Sequence, residues 1–386
     1  MQKRINIDSG RPLEGRAHYS RALRVNELVL QSGTTAIDRD GNVIGQDIRT
    51  QVRAVLDIAR ASMAAAGGAF SDITRARLYV VGTDNLLAAS DEFSSALRDV
   101  SLALSVIPVS QLARPAQLVE IELEALDPEV GERTVLVSAS ERWRVPELRA
   151  GIRIGRRILP SAGSATGASV LEQAENCMAS IRELIGSAGG AFNDLVCLRV
   201  YITEGAPEDD VLNQLKCCLG KVEPVLTLLT IPPLADSNAH MLMEAEAIVG
   251  AHRGSRLTPH LHYRGFSAAL SVDDQIYLSN IEFLDATGAV QAPDDWASQR
   301  NGCTQELESI LSRIDATLND VIVRRYFTAR DATMNSDYGD GPSWFATTRP
   351  AALGCRIVAN LHRGSVLSLE AHAVRGASDN IEWKKL

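Results

Sequence analysis

The chain has 386 residues, of which 45% are hydrophobic and 23% charged, with a formal net charge of −9. These proportions exclude a disordered or collagen-like chain, and the acidic balance argues against non-specific binding to nucleic acid or to an anionic membrane. No apolar run reaches the roughly 18 residues of a membrane-spanning helix, and the polar start MQKRINIDSGRPLEG carries no secretory h-region. The cysteines Cys177, Cys197, Cys217, Cys218, Cys303 and Cys355 form no C-x-x-C pair, so neither a disulfide framework nor a zinc ribbon is expected. The expected compartment is the cytoplasm.

Along the chain, an early strand is predicted over residues 27–31, followed by a polar turn and a long helix. The apolar residues Ile48, Val52, Val55, Leu56, Ala59 and Met63 recur in steps of three and four on one face of that helix. Gly67-Gly68 stops it. A strand over 77–81, a shorter helix and a strand carrying Glu120 follow. The same order then returns: a strand over 157–160, a helix with Leu171, Ala174, Met178, Ile181 and Ile185 stopped near Gly189, a strand over 199–203, a shorter helix, and a strand carrying Glu244. It returns once more with a strand over 275–278, a helix bearing Cys303, Leu307, Ile310, Leu311 and Ile314 without a glycine stop, a strand over 325–328, and a strand carrying Glu370. In this last round the stretch ATMNSDYGDGPSWFATTRPAALG replaces the second helix, and its glycines and prolines predict a reshaped loop.

Recurring markers set the period. GGAFSDITRARLYV, GGAFNDLVCLRVYI and DATLNDVIVRRYFT place Asp72, Asp194 and Asp320 at intervals of 122 and 126 residues. LVEIELEA, LMEAEAIV and LSLEAHAV place Glu120, Glu244 and Glu370 at intervals of 124 and 126. Markers in one order at one long period predict three tandem α+β domains, residues 1–128, 129–252 and 253–386.

With these residues in view, AHYSRALRVNELVLQSG, GNVIGQDIRTQVRAVLDIARASMAAAGG and LVEIELEA resemble, in order, a Rid (reactive intermediate deaminase, YjgF-like) domain. The resemblance implies a chorismate-mutase-like sheet packed on two helices, assembled as a trimer with ligand sites in the clefts between subunits. Three fused copies would close as an intramolecular pseudo-trimer around a central β-barrel. It also implies hydrolysis of enamines and imines to ketones plus ammonia, without metal or cofactor. Family members hold the substrate carboxylate with an arginine upstream of the glutamate strand, and counting back puts Leu104, Leu226 and Leu353 at that place. The chain is similar in this respect to 2-aminomuconate and 2-amino-5-chloromuconate deaminases, which lack the arginine. That likeness implies an enamine dicarboxylate from aromatic-compound catabolism as the substrate and small-molecule partner. A chorismatase-like hydrolase of a dicarboxylate and a non-catalytic Rid-like binding protein are the alternatives.

Carried over by position, Tyr19, Ser32 and Cys355 are site candidates, with Glu120, Glu244 and Glu370 as the proton relay. Arg77, Arg199 and Arg325 recur five residues after the marker aspartates, and Tyr79, Tyr201 and Phe327 share their strand face. Two readings are open for these arginines: a clamp for substrate carboxylates, or a buried Arg–Glu ring that pins the domains in register. The divergent third copy adds Arg324, Arg330, Arg349 and Arg356, with Trp344 and Phe345 in its loop; Arg356 is counted among the substrate-binding candidates. Cys355 reads either as a site residue or as a buried inert thiol. His260-x-His262 is the one close histidine pair, and no further ligand follows at metal-binding spacing. Phosphate-loop and nucleophile-elbow motifs are absent. The pseudo-trimers are free to associate further as a homo-oligomer.

Overall fold

Each long helix begins at a side-chain cap. Asp47 accepts from the Thr50 amide at 2.9 Å, Ser169 from Glu172 at 3.2 Å and Asp295 from Ser298 at 3.1 Å. They open the helices Ile48–Ala65, Val170–Ser187 and Trp296–Ser312. In the first helix Ile48, Val52, Val55, Leu56, Ala59 and Met63 are all buried, as their spacing predicts. Gly67 and Gly189 end two helices in left-handed conformation, with φ of 81° and 76°; Asp315, at 57°, does so after the third. An aspartate thus fills the missing glycine stop. The marker aspartates close the next turn: Asp72, Asp194 and Asp320 accept from the amides of Ala69, Ala191 and Thr317 at 3.1, 3.0 and 2.8 Å.

The computed structural model describes residues 3–137, 143–144, 150–258, 265–332, 344–360, 362 and 364–386. Their strands build three large sheets. The first runs Ile381–Lys385, Arg4–Asp8, Ala22–Val25, Leu28–Thr35, Val119–Leu126, Ile73–Val81, Ala103–Val109. The second runs Val225–Ile231, Leu195–Thr203, Met241–Ile248, Arg157–Pro160, Gly151–Ile154, Arg133–Leu136. The third runs Ser255–Leu257, Ala269–Val272, Gln275–Leu278, Leu367–Val374, Val321–Ala329, Ala351–Ile357. In every sheet the arginine-bearing strand pairs antiparallel with the glutamate strand and parallel with the strand that follows it. A parallel pair needs a crossover, and the helices Leu86–Ala96 and Glu208–Leu219 supply it in the first two sheets. Residues 333–343 of the loop expected in the third lie outside the described residues, as do His260 and His262.

Each long helix covers its own apolar core. A further cluster draws Tyr79, Tyr201 and Phe327 together with Ile107, Leu229 and Cys355 from all three sheets. Where sheets meet, one serine hydroxyl accepts one amide: Ser161 from Leu104 at 3.1 Å, Ser279 from Leu226 at 2.8 Å, and Ser32 from Ala352 at 3.0 Å. Isolated bridges at Gln111–Arg356 and Thr230–Ala359 add to this. Among the described residues no continuous ladder joins the sheets, so the expected central β-barrel is not closed there. Single backbone bonds flank the serines, from Ala162 to the Leu104 carbonyl and from Asn280 to the Leu226 carbonyl, both at 3.0 Å. Among the described residues no helix is long and apolar enough to cross a membrane.

Candidate functional site

Strand register decides which residues share the centre. Arg77, Arg199 and Arg325 lie opposite Glu122, Glu244 and Glu370. The counterpart of Glu244 and Glu370 is therefore Glu122, and the grouping with Glu120 is corrected by two residues. Counted this way, the glutamates recur at 122 and 126 residues, the same intervals as the marker aspartates.

Each guanidinium reaches forward to the next sheet. Arg77 Nε donates to Glu244 Oε2 at 3.0 Å, Arg199 Nη2 to Glu370 Oε1 at 2.7 Å, and Arg325 Nε to Glu122 Oε2 at 2.9 Å. Arg199 also meets Glu244 at 3.1 Å and Arg325 meets Glu370 at 2.6 Å. Ser105 and Thr227 donate to Glu244 and Glu370 at 2.7 and 2.9 Å. Burial alone would raise these two carboxyls, but the guanidiniums of Arg77, Arg75 and Arg199 around Glu244, and of Arg199 and Arg325 around Glu370, hold both well below the usual range. The cavity here amounts to about 20 Å³, room for a water molecule and not for a substrate. Of the two open readings, this geometry fits the buried ring. Arg77, Arg199 and Arg325 are engaged by protein carboxylates, and Glu244 and Glu370 are ionised and fully bonded.

Glu120 lies apart from this ring. It sits opposite Tyr79, and the matching positions opposite Tyr201 and Phe327 hold Leu242 and Ser368. Glu120 faces the junction of the first and third sheets. A Cβ on Gly33 would come within 2.2 Å of Glu120 Oε1 and 3.1 Å of Leu353 Cδ1, so a larger residue there would push the Glu120 carboxyl aside. The Glu120 side chain is buried, and its carboxyl has no hydrogen-bond partner among the described residues. Burial, reinforced by Glu122 and eased by Arg21, pushes it up to about 8. That shift favours the neutral carboxylic acid.

The walls of this cleft are polar on one side. Arg21 Nε donates to Glu14 at 2.9 Å, Nη1 to Thr34 at 3.3 Å and Nη2 to the Tyr19 hydroxyl at 3.3 Å. Burial raises the Tyr19 hydroxyl, against Arg21 and together with Glu14 and Glu120. On the other side Cys355 is buried, and burial followed by the charges of Glu120 and Glu122 keeps it a thiol. The other junctions differ. Ile107, Leu242, Leu234, Ala239 and Ala162 fill the first-to-second junction with aliphatic carbon. At the second-to-third, Asn280 Nδ2 donates to Ser368 at 2.6 Å. A carboxyl stands at this position in one junction of the three.

Residues 10–126 match the family model described as Endoribonuclease L-PSP. A RutC family protein of Sulfurisphaera tokodaii is 30% identical over 104 residues, 27% of this chain and 82% of that protein. One from Pyrococcus abyssi is 25% identical over 109 residues, 28% of this chain and 84% of that protein. A solved YjgF-family structure from Mycobacterium tuberculosis shares 31% identity over 32% of this chain and 98% of that chain, with a TM-score of 0.30. The chain belongs to the Rid/YjgF (L-PSP) family. The family match ends at residue 126, so the second and third sheets lie beyond it.

In the Rid resemblance an arginine precedes the glutamate strand. Register pairs Arg77, Arg199 and Arg325 with Ser105, Thr227 and Leu353. Leu104 and Leu226, the places expected from counting, are therefore one residue off that set; Leu353 belongs to it, and none of the three is an arginine. Arg356 points away from Cys355, as alternation requires. Its Nη1 donates to the carbonyls of Arg330 and Ala332 at 2.8 and 2.9 Å, away from the Glu120 cleft. Phe345 is buried in the third core and Trp344 packs on it half-buried. Among the described residues no group of three or more His, Cys, Asp or Glu could hold a metal ion. Sequence reasoning missed Glu122, Gly33, Glu14 and Arg21. The 122-residue aspartate interval was the signal for the first; the others carry none without the cleft.

Proposed function

We propose that residues 1–128, 129–252 and 253–386 are three diverged Rid units that close head to tail as a pseudo-trimer, with one working cleft between the first and third. The recurring strand order, the serine contacts and the cyclic run of Arg77 to Glu244, Arg199 to Glu370 and Arg325 to Glu122 support this. In that cleft the protein acts as a cofactor-independent deaminase of an enamine or imine. The observation that carries the reading is Glu120: buried in the cleft and without a hydrogen-bond partner among the described residues, with burial pushing its carboxyl up to about 8.

A neutral carboxyl is what the first step requires. Glu120 gives its proton to the enamine carbon, and the nitrogen lone pair moves in to form C=N. Water then adds to the C=N carbon while Glu120 takes back a proton. Glu120 then gives that proton to the carbinolamine nitrogen and takes the hydroxyl proton as the C–N bond breaks, so that ammonia leaves, a ketone remains and Glu120 is protonated again. Tyr19, fixed by Arg21, orients the substrate. Leu353 in the place of a carboxylate-binding arginine disfavours small 2-imino acids and is in keeping with a longer dicarboxylate of the 2-aminomuconate type. Ammonia release from 2-aminomuconate, from a 2-aminoacrylate-type enamine and from buffer alone tests the reading, with chorismate turnover followed in parallel. Release from 2-aminomuconate only is expected. Equal turnover of the 2-aminoacrylate type removes the dicarboxylate preference, and binding without turnover makes the protein a ligand carrier.

A further inference from the structure

The third unit differs from the others in the layer between its long helix and its sheet. Arg300 lies five residues after the cap Asp295; the matching places after Asp47 and Ser169 are Val52 and Ala174, both core residues. Arg324 and Tyr326 precede and follow Arg325, where the first sheet has Ala76 and Leu78 and the second Leu198 and Val200. Thr304 likewise stands where Leu56 and Met178 stand. An aliphatic patch has become one of two arginines, a tyrosine and a threonine.

Both arginines are more than nine-tenths buried, Arg300 at 9% and Arg324 at 8% exposure. Neither has a carboxylate partner among the described residues. Arg324 gives Nη1 to the Tyr326 hydroxyl at 3.1 Å and Nη2 to the carbonyls of Ala17 and His18, while its Nε is buried without a partner. Arg300 makes no side-chain hydrogen bond among the described residues and lies 5.0 Å from the Trp296 ring. Arg324 lies 5.0 Å from the Phe345 ring and 5.3 Å from that of Tyr326. Two buried cations with no counter-charge are costly. Guanidiniums framed by aromatic faces suit a flat anion, which can take paired N–H donors in its plane and stack through its face. This layer is not the Glu120 cleft, because Arg324 and Tyr326 point to the face of their strand opposite that of Arg325 and Phe327, and Phe327 clusters with Tyr79 and Cys355.

We infer that the polar layer between the helix Trp296–Ser312 and the third sheet is a binding site for a planar, conjugated or aromatic carboxylate, gripped by Arg300 and Arg324 and walled by Trp296, Tyr326 and Phe345. The inference is independent of the deaminase reading. Titration calorimetry with benzoate tests it, using benzamide and acetate to remove the charge and the ring in turn. Benzoate should bind the wild-type protein about tenfold or more tighter than either control. E120Q should bind benzoate unchanged. R300V and R324L, which restore residues of the kind the first two units carry, should fold, melt at a higher temperature without ligand, and bind benzoate at least about tenfold more weakly. Absence of benzoate binding overturns the inference, as does binding that survives both substitutions. Loss of binding in E120Q, which would put benzoate in the other cleft, also overturns it. Lower melting temperatures for R300V and R324L would assign the arginines a structural role instead.

Discussion

Arg199 donates to Glu370 across 171 residues of sequence, at 2.7 Å, and both side chains are buried. The same step from one sheet to the next is taken by Arg77 to Glu244 and by Arg325 to Glu122, so the three contacts form a cycle. Because each guanidinium neutralises a neighbour's carboxylate, removing one charge leaves its partner stranded in a cavity with room only for water. E370Q and R199Q should each lose about 3–5 kcal/mol of unfolding free energy. Urea denaturation of the purified variants measures this; a loss below about 1 kcal/mol would mean the ring does not hold the sheets together.

Glu120 should behave in the opposite way. Its folded pKa, about 8, lies above the ordinary carboxylate value of 4.5. The folded state therefore holds its proton longer than the unfolded chain, and stability falls as pH rises from 4.5 towards 8. E120Q removes that term. It should stabilise the protein by about 1–3 kcal/mol at pH 8 and leave it unchanged at pH 4, where both states are protonated. Denaturation midpoints at the two pH values give the answer.

The same titration should appear in the rate. If the protonated carboxyl of Glu120 is the donor, kcat/KM on an enamine substrate is level below its pKa of about 8 and falls about tenfold per pH unit above it. A profile that instead rises through pH 8 would make the carboxylate the active form in the first step.

Leu353 gives a gain-of-function test. L353R puts a guanidinium beside Glu120 and Gly33, at the position the Rid resemblance assigns to carboxylate binding. The variant should gain turnover of small 2-imino acids, and the alkaline limb of its pH profile should move to lower pH, because a neighbouring cation favours ionised Glu120. Ammonia release from 2-iminopropanoate follows the first effect and a pH–rate titration the second.

Much of this was legible in the sequence. The helix stripe from Ile48 to Met63 and the turn-closing Asp72, Asp194 and Asp320 are local, and local rules read them. The register of the glutamate strand was not. Glu120, Glu122 and Glu124 share one face, since side chains two apart always do, and only the strand opposite shows that Glu122 meets Arg325 while Glu120 meets the cleft. Arg324 stood out only as one of the third copy's extra arginines, and Arg300 not at all. Their burial shows once the helix cap and the strand pairing align them with Val52 and Ala76. The junction serines Ser32, Ser161 and Ser279 do recur, one after each early strand, but nothing in the sequence says that each accepts an amide from the neighbouring sheet.

The central claim is that Glu120, rather than the glutamates of the ring, moves the proton. The most direct measurement is kcat/KM for ammonia release from 2-aminomuconate by wild type, E120Q, E244Q and E370Q, each divided by its folded fraction. The account predicts a loss of about 100-fold or more in E120Q alone, with E244Q and E370Q close to wild type per folded molecule. An E120Q enzyme within a few-fold of wild type, beside an inactive but folded E370Q, would contradict it.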